Sequence, residues 1–452
     1  MGSTETQTAM APDFRYIPLS YSHADSQASA LRLILTLNPD WEGPDNNIEF
    51  VRFTDGITNT LLKIINLRPG LTEEQIDNEA VLMRAYGNGT EILIDRESTS
   101  KPPDGQPSSK PPLLKPKKCP SAPPLPIATY AEVDQLSLGE TKSHALLASR
   151  GLAPPLLARF KNGLLYRFIR GRPCGHQDLV SPPIWRGVAR RLAQWHAILP
   201  SSGAEPKDAP VTEIADPHDD ITVIKPRRAG PSMWAVMQKW VLALPVTTPE
   251  QRARRLSLQA ELQWALEILD DGKGIGEDGF VFSHCDLLCA NVIVLPTENG
   301  VPTPKDGTAP VNFIDYEYAV PAPAAFDISN HLAEWGGYDC DYNMMPTKSV
   351  RRQFLTEYTK SYCEQRGLDA SSQAEIVDRL YEDVDRFRGI PGLYWGVWAL
   401  IQAQISQIDF DYASYAETRL GEYYAWKREV DGSRKQAGEE MPLRESRWAS
   451  EA

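Results

Sequence analysis

The chain has 452 residues, more than one compact core accommodates, so two lobes or domains are expected. With 42% hydrophobic and 24% charged residues it has the balance of a soluble protein, and no stretch approaches the roughly 20 uninterrupted apolar residues of a membrane span. The net charge of −13 argues against a nucleic-acid partner, whose phosphates are bound through basic surfaces; it suits a cationic substrate, and solubility alone accounts for it equally well.

Residues 1–27 are polar and expected to be a flexible N-terminus. The stretch from Met1 to Phe14 has neither a basic patch nor an apolar block, so no secretory signal is read there and a cytoplasmic location is expected. Ile48 to Phe53 and Thr60 to Ile65 read as strands joined by residues 54–59. The backbone and hydroxyl groups of that link, Thr58-Asn59 included, could cover phosphates, although an ordinary β-turn accounts for it equally well. It lacks the Gly-Lys-Ser/Thr of a Walker A loop.

Val81 to Tyr86 reads as a third strand whose one charge, Arg84, taken alone, is a solvent-facing strand residue. Residues 87–90 then turn the chain into a strand over 91–95, giving a small antiparallel sheet. From Ser98 to about Gly139 the composition changes abruptly, with Pro-Pro pairs at 102, 111 and 123 and few large hydrophobes. Such a segment cannot offset its ordering entropy by apolar burial, and a disordered or polyproline-like insertion over 98–139 is expected. It is read as a passive surface insertion, with a ligand for a Pro-binding domain as the alternative.

A helix is expected from Glu140 to near Gly151, then a strand over 164–169, with Arg170-Gly171 as the hinge between lobes. Beyond it the pattern is mostly helical: Val188, Leu192, Trp195 and Leu199 share one face, as do Leu258, Leu262, Ala265 and Leu269 of a helix that stops at Gly272. The expected class is α+β on a protein-kinase-like, two-lobed plan. A small antiparallel β N-lobe spans 28–170, and a larger, mostly helical C-lobe spans 171–452. Six cysteines without a CxxC pair or zinc spacing are taken as reduced thiols.

The chemistry concentrates in Phe282-Ser283-His284-Cys285-Asp286-Leu287-Leu288-Cys289-Ala290-Asn291 and Phe313-Ile314-Asp315-Tyr316-Glu317. Short apolar runs at 280–282, 292–295 and 311–314 read as strands, which puts Asp286 and Asn291 on the loop between the first two and Asp315 after the third. An Asp, an Asn and a spaced second Asp suit phosphoryl transfer, where the protein positions reactants and neutralises charge. Asp286 would take the proton of an attacking hydroxyl, and Asn291 and Asp315 would offer hard oxygens to magnesium. The competing reading makes Asp286 and Asn291 turn residues bonding their own backbone, and it leaves Asp315-Tyr316-Glu317 unexplained. His284, the other candidate in the loop, reads as a histidine hydrogen-bonded inside it. Further on, Trp395 and Trp398 are three apart on an expected helix, followed by Phe410, Tyr412 and Tyr415, while Glu334, Asp327 and Asp339 can supply charge. By spacing alone the aromatic stripe is core.

These motifs, together with Val81 to Glu91, Phe326-Asp327-Ile328-Ser329-Asn330-His331-Leu332-Ala333-Glu334-Trp335 and Tyr394 to Ala403, resemble the choline/ethanolamine kinase family, and within it the ethanolamine kinases. The resemblance runs from about residue 48 to 426, the Pro-rich insertion excepted. It implies transfer of a phosphoryl group from ATP, with Mg2+, to the hydroxyl of a small amino alcohol, ethanolamine or a choline-like relative, the first committed step toward phosphatidylethanolamine. By motif match Asp286 is the general base, Asn291 and Asp315 are magnesium ligands, and Glu317 is a second-metal or outer-shell ligand. Thr58-Asn59 matches the nucleotide-covering loop. Arg84 stands where protein kinases have a strand Lys, and Glu140 is its candidate helix partner. Trp395, Trp398 and Tyr415, with Phe410 beside them, become an ammonium cage; Glu334 becomes the ammonium partner, and Asp327 orders the loop from beneath. Cys285, where the family often has Asn, and Ala290, where Lys or Gly is common, depart from the pattern without touching Asp286, Asn291 or Asp315. An aminoglycoside-type phosphotransferase would not predict the Trp395/Trp398 pair, a protein kinase would need a Gly-rich loop and Asp-Phe-Gly, and a scaffold acting through the insertion would have no chemical need of the three polar residues.

Overall fold

The computed structural model describes residues 15–53, 59–86, 141–203, 214, 216, 218, 221–228, 230–297, 305–406 and 408–451. Thr58, Glu140, the strand expected over 91–95 and the insertion 98–139 lie outside the described residues, and Asn59 is described in its backbone only.

The N-terminal part runs β1 (Tyr16–Ile17), α1 (Ser26–Leu37), β2 (Asn47–Phe53), β3 (Asn59–Leu67), α2 (Glu73–Glu79), β4 (Val81–Tyr86), α3 (141–149), β5 (Leu156–Phe160) and β6 (Gly163–Arg167). Its sheet has the order β1-β5-β6-β4-β3-β2, with β1 parallel to β5 and the other neighbours antiparallel. Strand periodicity puts Leu62 and Ile64 of β3 and Val81, Met83 and Ala85 of β4 on one face. They pack there with Ala30, Leu33, Ile34 and Leu37 of α1. Each Leu, Ile, Val or Met among them, once buried, contributes about 1.5–3 kcal/mol.

Of the segment expected to be flexible, residues 15–27 are tied to the sheet. β1 pairs with β5, and Ile17 and Tyr21 enter the sheet's core. The side-chain amide of Asn162 takes both backbone groups of Tyr21, accepting from its N–H at 2.9 Å and donating to its C=O at 3.0 Å. Two buried side chains and a sheet-like clamp suffice to order a polar stretch whose composition alone suggests fraying.

The C-terminal part runs β7 (Arg172–Pro173), α4 (His176–Leu179), α5 (Pro182–Ile198), α6 (Met233–Ala243), α7 (Pro249–Leu269), β8 (Val281–Ser283), β9 (Val292–Val294), β10 (Val311–Phe313), β11 (Val320–Ala322), α8 (Ala324–Ala333), α9 (Lys348–Arg366), α10 (Gln373–Phe387), α11 (Ile390–Ile405), α12 (Tyr412–Val430), α13 (Ser433–Gln436) and α14 (Leu443–Ala449). α7 starts on a capping box, Thr248 with Gln251, and has Pro249 in its first turn, where a missing N–H costs nothing. Its buried face includes Leu258, Leu262, Ala265 and Leu269. The larger core also takes in Leu147, Leu152 and Ala153, while Ala158, Phe160 and Leu165 return to the sheet's core, so the chain passes between the two cores more than once. α3 belongs with the larger core, and its His144 lies against Tyr166 and Tyr316 across the junction.

Two contacts fix the platform for the site. Trp195 of α5 stacks on Phe282 at 6.4 Å between ring centroids, beneath the short strands β8 to β10. α11 and α12 approach closely because α11 has Gly392 and Gly396 on that face. A Cβ at Gly392 would lie 2.5 Å from the Arg419 carbonyl oxygen, and one at Gly396 2.7 Å from Leu420 Cγ. Among the described residues no helix is long and apolar enough to cross a membrane, and Cys174, Cys285, Cys289, Cys340 and Cys363 are free.

Candidate active site

The loop between β8 and β9 carries Asp286 and Asn291, and Asp315 follows β10. β8 pairs with β11, and β9 lies between β7 and β10. Cys285 and Asp315 both adopt positive φ, 63° and 62°, a conformation costly for residues with a side chain and found where surrounding contacts over-determine it. At Cys285 α8 supplies those contacts. Asp327, wholly buried, accepts from the N–H of His284 and of Cys285, both at 2.8 Å, and from His196 Nε2 at 2.9 Å. Asn330 Nδ2 donates to the Cys285 carbonyl at 2.8 Å, and His331 Nδ1 to the Leu287 carbonyl at 2.8 Å. Burial alone would raise the Asp327 carboxyl, but the hydrogen bonds from His196 and from the loop N–H outweigh it and hold it below the ordinary carboxylate range.

His284 is held inside the loop, as a residue hydrogen-bonded within it would be. It is fully buried, its Nε2 donates to the Ile314 carbonyl at 3.1 Å, and its Nδ1 accepts from the Asp286 N–H at 3.3 Å. Burial pushes its pKa down to about 4, so it is a neutral loop strut with both nitrogens occupied.

Asn291 Nδ2 donates to the Asp286 carbonyl oxygen at 2.7 Å and to Asp286 Oδ2 at 3.2 Å. With its nitrogen so committed, the amide oxygen is the end left to accept or to ligate. Burial, then the Asp315, Glu334 and Glu317 carboxylates, push the Asp286 carboxyl well above its usual range. Arg84 is buried, not solvent-facing as its strand context suggested. Its Nη1 lies 2.7 Å from Asp315 Oδ1, and its Nη2 donates to Glu317. One guanidinium from the N-terminal sheet thus ties together the two carboxylates that follow β10.

Among the described residues no three His, Cys, Asp or Glu side chains gather as a metal cage. The donor set nevertheless fits magnesium. A hard cation usually takes only one or two carboxylates and completes its shell with water and substrate phosphates, and Asp315, Asn291 and Glu317 are oxygen donors in a cluster with excess negative charge. Replacing Arg84 by Met, which leaves Asp315 and Glu317 facing each other without their buried cation, is expected to destabilise the protein by about 3 kcal/mol. Urea unfolding of the purified variant beside the parent checks this.

A cavity of about 260 Å³ opens beside the loop, lined by Asp286, Leu288, Glu334, Tyr338, Trp395, Trp398, Ile408, Asp409, Phe410, Tyr412 and Tyr415. The Trp395 indole N–H donates to Asn330 Oδ1 at 2.8 Å and that of Trp398 to the Tyr318 hydroxyl at 3.0 Å. With both N–H groups committed elsewhere, the indoles offer the cavity ring carbon, the surface that attracts cations. Trp395 meets Trp398 edge to face at 5.4 Å, and Phe410 meets Tyr412 and Tyr415 at 4.8 and 5.6 Å. Glu334 carries negative charge into this aromatic wall, its carboxyl raised by burial against the pull of Arg419.

The structure thus brings Asp286, Asn291, Asp315, Glu317 and Arg84 to one end and Glu334, Trp395, Trp398, Phe410 and Tyr415 to the other. Asp339 is exposed and does not line the cavity; its neighbour Tyr338 does. Sequence reasoning missed Tyr338, Leu288, Ile408 and Asp409, which come from turns without periodicity. It also missed the roles of Asn330 and His331, for which a signal existed: Asp327, Asn330, His331 and Glu334 recur at i, i+3, i+4 and i+7 on an otherwise apolar helix.

Residues 129–424 match the family model described as choline/ethanolamine kinase. The chain is similar to ethanolamine kinase 1 of Mus musculus, 31% identical over 411 residues covering 89% of each, and to ethanolamine kinase 2 of Rattus norvegicus, 31% identical over 90% of this chain and 83% of the relative. In fold it is similar to the structure of an ethanolamine kinase of Plasmodium vivax, with a TM-score of 0.57, 21% identity and 88% of each chain covered. A choline kinase of Cryptosporidium parvum has the same TM-score at 18% identity, over 90% of this chain and 97% of the other.

Proposed function

The chain belongs to the choline/ethanolamine kinase family, a family of phosphotransferases, and from that premise we propose that it phosphorylates the hydroxyl of ethanolamine at the expense of ATP. The observation that carries the reading is the cavity itself. It has the Asp286 carboxylate at one place on its wall and the Glu334 carboxylate among aromatic faces at another, one group for an alcohol and one for an ammonium. A primary ammonium has three donors for carboxylates, whereas a quaternary one has none and relies on ring faces. Glu334 favours the first, and the aromatic wall keeps choline as the second reading.

In this reading Asp286 accepts the hydroxyl proton while Asn291 Nδ2 steadies its Oδ2. Arg84 offsets the negative charge of Asp315 and Glu317. Asp315 and the Asn291 amide oxygen would hold magnesium, with Glu317 behind them, and the ion would supply positive charge to the transferring phosphate. The cavity's aromatic wall limits water around the reacting oxygen. The product, a phosphomonoester of an amino alcohol, would serve the assembly of phosphatidylethanolamine that the family resemblance implies.

Phosphorus NMR of the purified protein with ATP, Mg2+ and ethanolamine tests the proposal. Growth of a phosphoethanolamine resonance with loss of the γ-phosphate is the expected result. Release of inorganic phosphate alone would sink it.

A further inference from the structure

Behind the cavity wall lies a chain of alternating buried charges that the proposed reaction does not use. Glu334 Oε1 is 3.4 Å from Arg419 Nη2, and Arg419 Nη1 is 3.5 Å from Glu422 Oε2. Glu422 Oε2 is in turn 3.9 Å from Arg444 Nε. Beyond that point the contacts tighten: Arg444 Nη1 meets Glu445 Oε1 at 2.8 Å, and Glu445 Oε2 meets Arg388 Nη2 at 2.9 Å. Arg419, Glu422, Arg444 and Glu445 are all buried. Arg444 and Glu445 belong to α14, which lies after the stretch matched by the family model.

The lengths are informative. Charge-assisted hydrogen bonds settle at about 2.7–2.9 Å when the geometry is unconstrained, and the two contacts of α14 do so. Those of Arg419 do not: its Nη2 makes only a long hydrogen bond to Glu334, and its Nη1 stands off Glu422. Neither Arg419 Nε nor Glu422 Oε2 makes a hydrogen bond. The Arg419 guanidinium also lies 5.9 Å from the Tyr415 ring, directly behind a lining residue. Only one of its two carboxylates, Glu334, reaches the cavity. A buried cation cannot be left unpaired cheaply, so a ligand that takes Glu334 needs somewhere for Arg419 to go.

Resting on the ethanolamine reading above, we propose that Arg419 is an internal counter-cation of the pocket. It neutralises Glu334 when no ligand is bound and passes to Glu422 when a substrate ammonium takes Glu334. Arg419, Glu422 and Arg444 are then positioning residues that set ammonium affinity from behind the wall. A primary ammonium competes with Arg419 for the same carboxylate lone pairs, whereas a quaternary ammonium rests on ring faces and competes less. The chain of charges therefore acts on ethanolamine more than on choline.

The proposal predicts opposite signs for two variants. Glu422→Gln keeps the shape but removes the receiving carboxylate, so Arg419 stays on Glu334; the KM for ethanolamine rises about fivefold or more, and that for choline much less. Arg444→Gln frees Glu422 to hold Arg419, which releases Glu334 and lowers the ethanolamine KM. Both variants and the parent, as full chains, are assayed with each amino alcohol at saturating Mg-ATP, beside their melting temperatures. Quenching of tryptophan fluorescence by ethanolamine, reported by Trp395 and Trp398, gives the same comparison without turnover. A purely structural role would move both variants in one direction, or both substrates alike, and either result overturns the proposal, as does an unchanged KM for ethanolamine. If Arg444→Gln does not fold, the two-substrate comparison in Glu422→Gln decides. An inactive parent protein would instead overturn the functional reading, and the fluorescence comparison keeps the two failures apart.

Discussion

Asp286→Asn is expected to lower kcat about a thousandfold while leaving the fold at least as stable as the parent. The loss follows from the role proposed for this carboxylate as acceptor of the hydroxyl proton, which an amide cannot fill. The stability follows from its surroundings: burial and three neighbouring carboxylates already disfavour its charge, so a neutral side chain of the same shape removes a repulsion. An activity loss accompanied by a melting temperature several degrees lower would point to collapse of the loop and contradict the assignment. A pH dependence follows from the same cause. A base works only when deprotonated, and the raised carboxyl loses its charge as pH falls through a value above the ordinary Asp range near about 4. The acid limb of kcat/KM, which reports the free enzyme, is therefore expected above that range. The acid limb of kcat is expected lower, because cations beside Asp315 and Glu334 relieve the repulsion.

Asp327→Ala has the largest expected effect on the fold. The substitution strips two loop N–H groups and the His196 Nε2 proton of their acceptor inside a site with no water access, a cost of about 3–5 kcal/mol. Activity falls with it, since Cys285 can hold its positive φ only while that brace exists. Asp327 also contributes a pH dependence of the opposite kind. Its folded pKa is depressed, so its stabilisation is fully present above the unfolded-state value and is lost as pH falls through the folded one. Urea unfolding of parent and variant at neutral and acid pH checks both statements. The gap between the two proteins should close on acidification, and a gap independent of pH would remove the carboxylate from the account.

Much of this arrangement is legible in the residues. The three short strands around the Asp286 loop, the position of Asp315 after the third, and the strand over 81–86 follow from apolar runs and their spacing, because strands flanking a polar loop need only local patterning. The helices α5 and α7 follow from their 3.6-residue stripes. What spacing could not supply is how distant segments meet. Arg84 on a strand reads as solvent-facing because it is the one charge in an apolar run; its partners lie more than two hundred residues away. His284 sits in a motif that invites a catalytic reading, and its burial between two loop partners agrees with reading it as hydrogen-bonded inside the loop. The cavity rim came from irregular turns, where Tyr338 rather than Asp339 faces inward. The charge chain behind Glu334 joins α12 to α14, and only its Arg419–Glu422 pair, at i, i+3, has a periodic spacing.

The most direct test of the central claim is kcat/KM for ethanolamine and for choline, measured on the purified chain with ATP and magnesium beside the Asp286→Asn variant. A preference for ethanolamine of about tenfold or more is expected, equivalent to about 1.4 kcal/mol of transition-state discrimination, and it disappears with turnover in the variant. Equal or better use of choline would contradict the substrate, and full activity in the variant would contradict the mechanism.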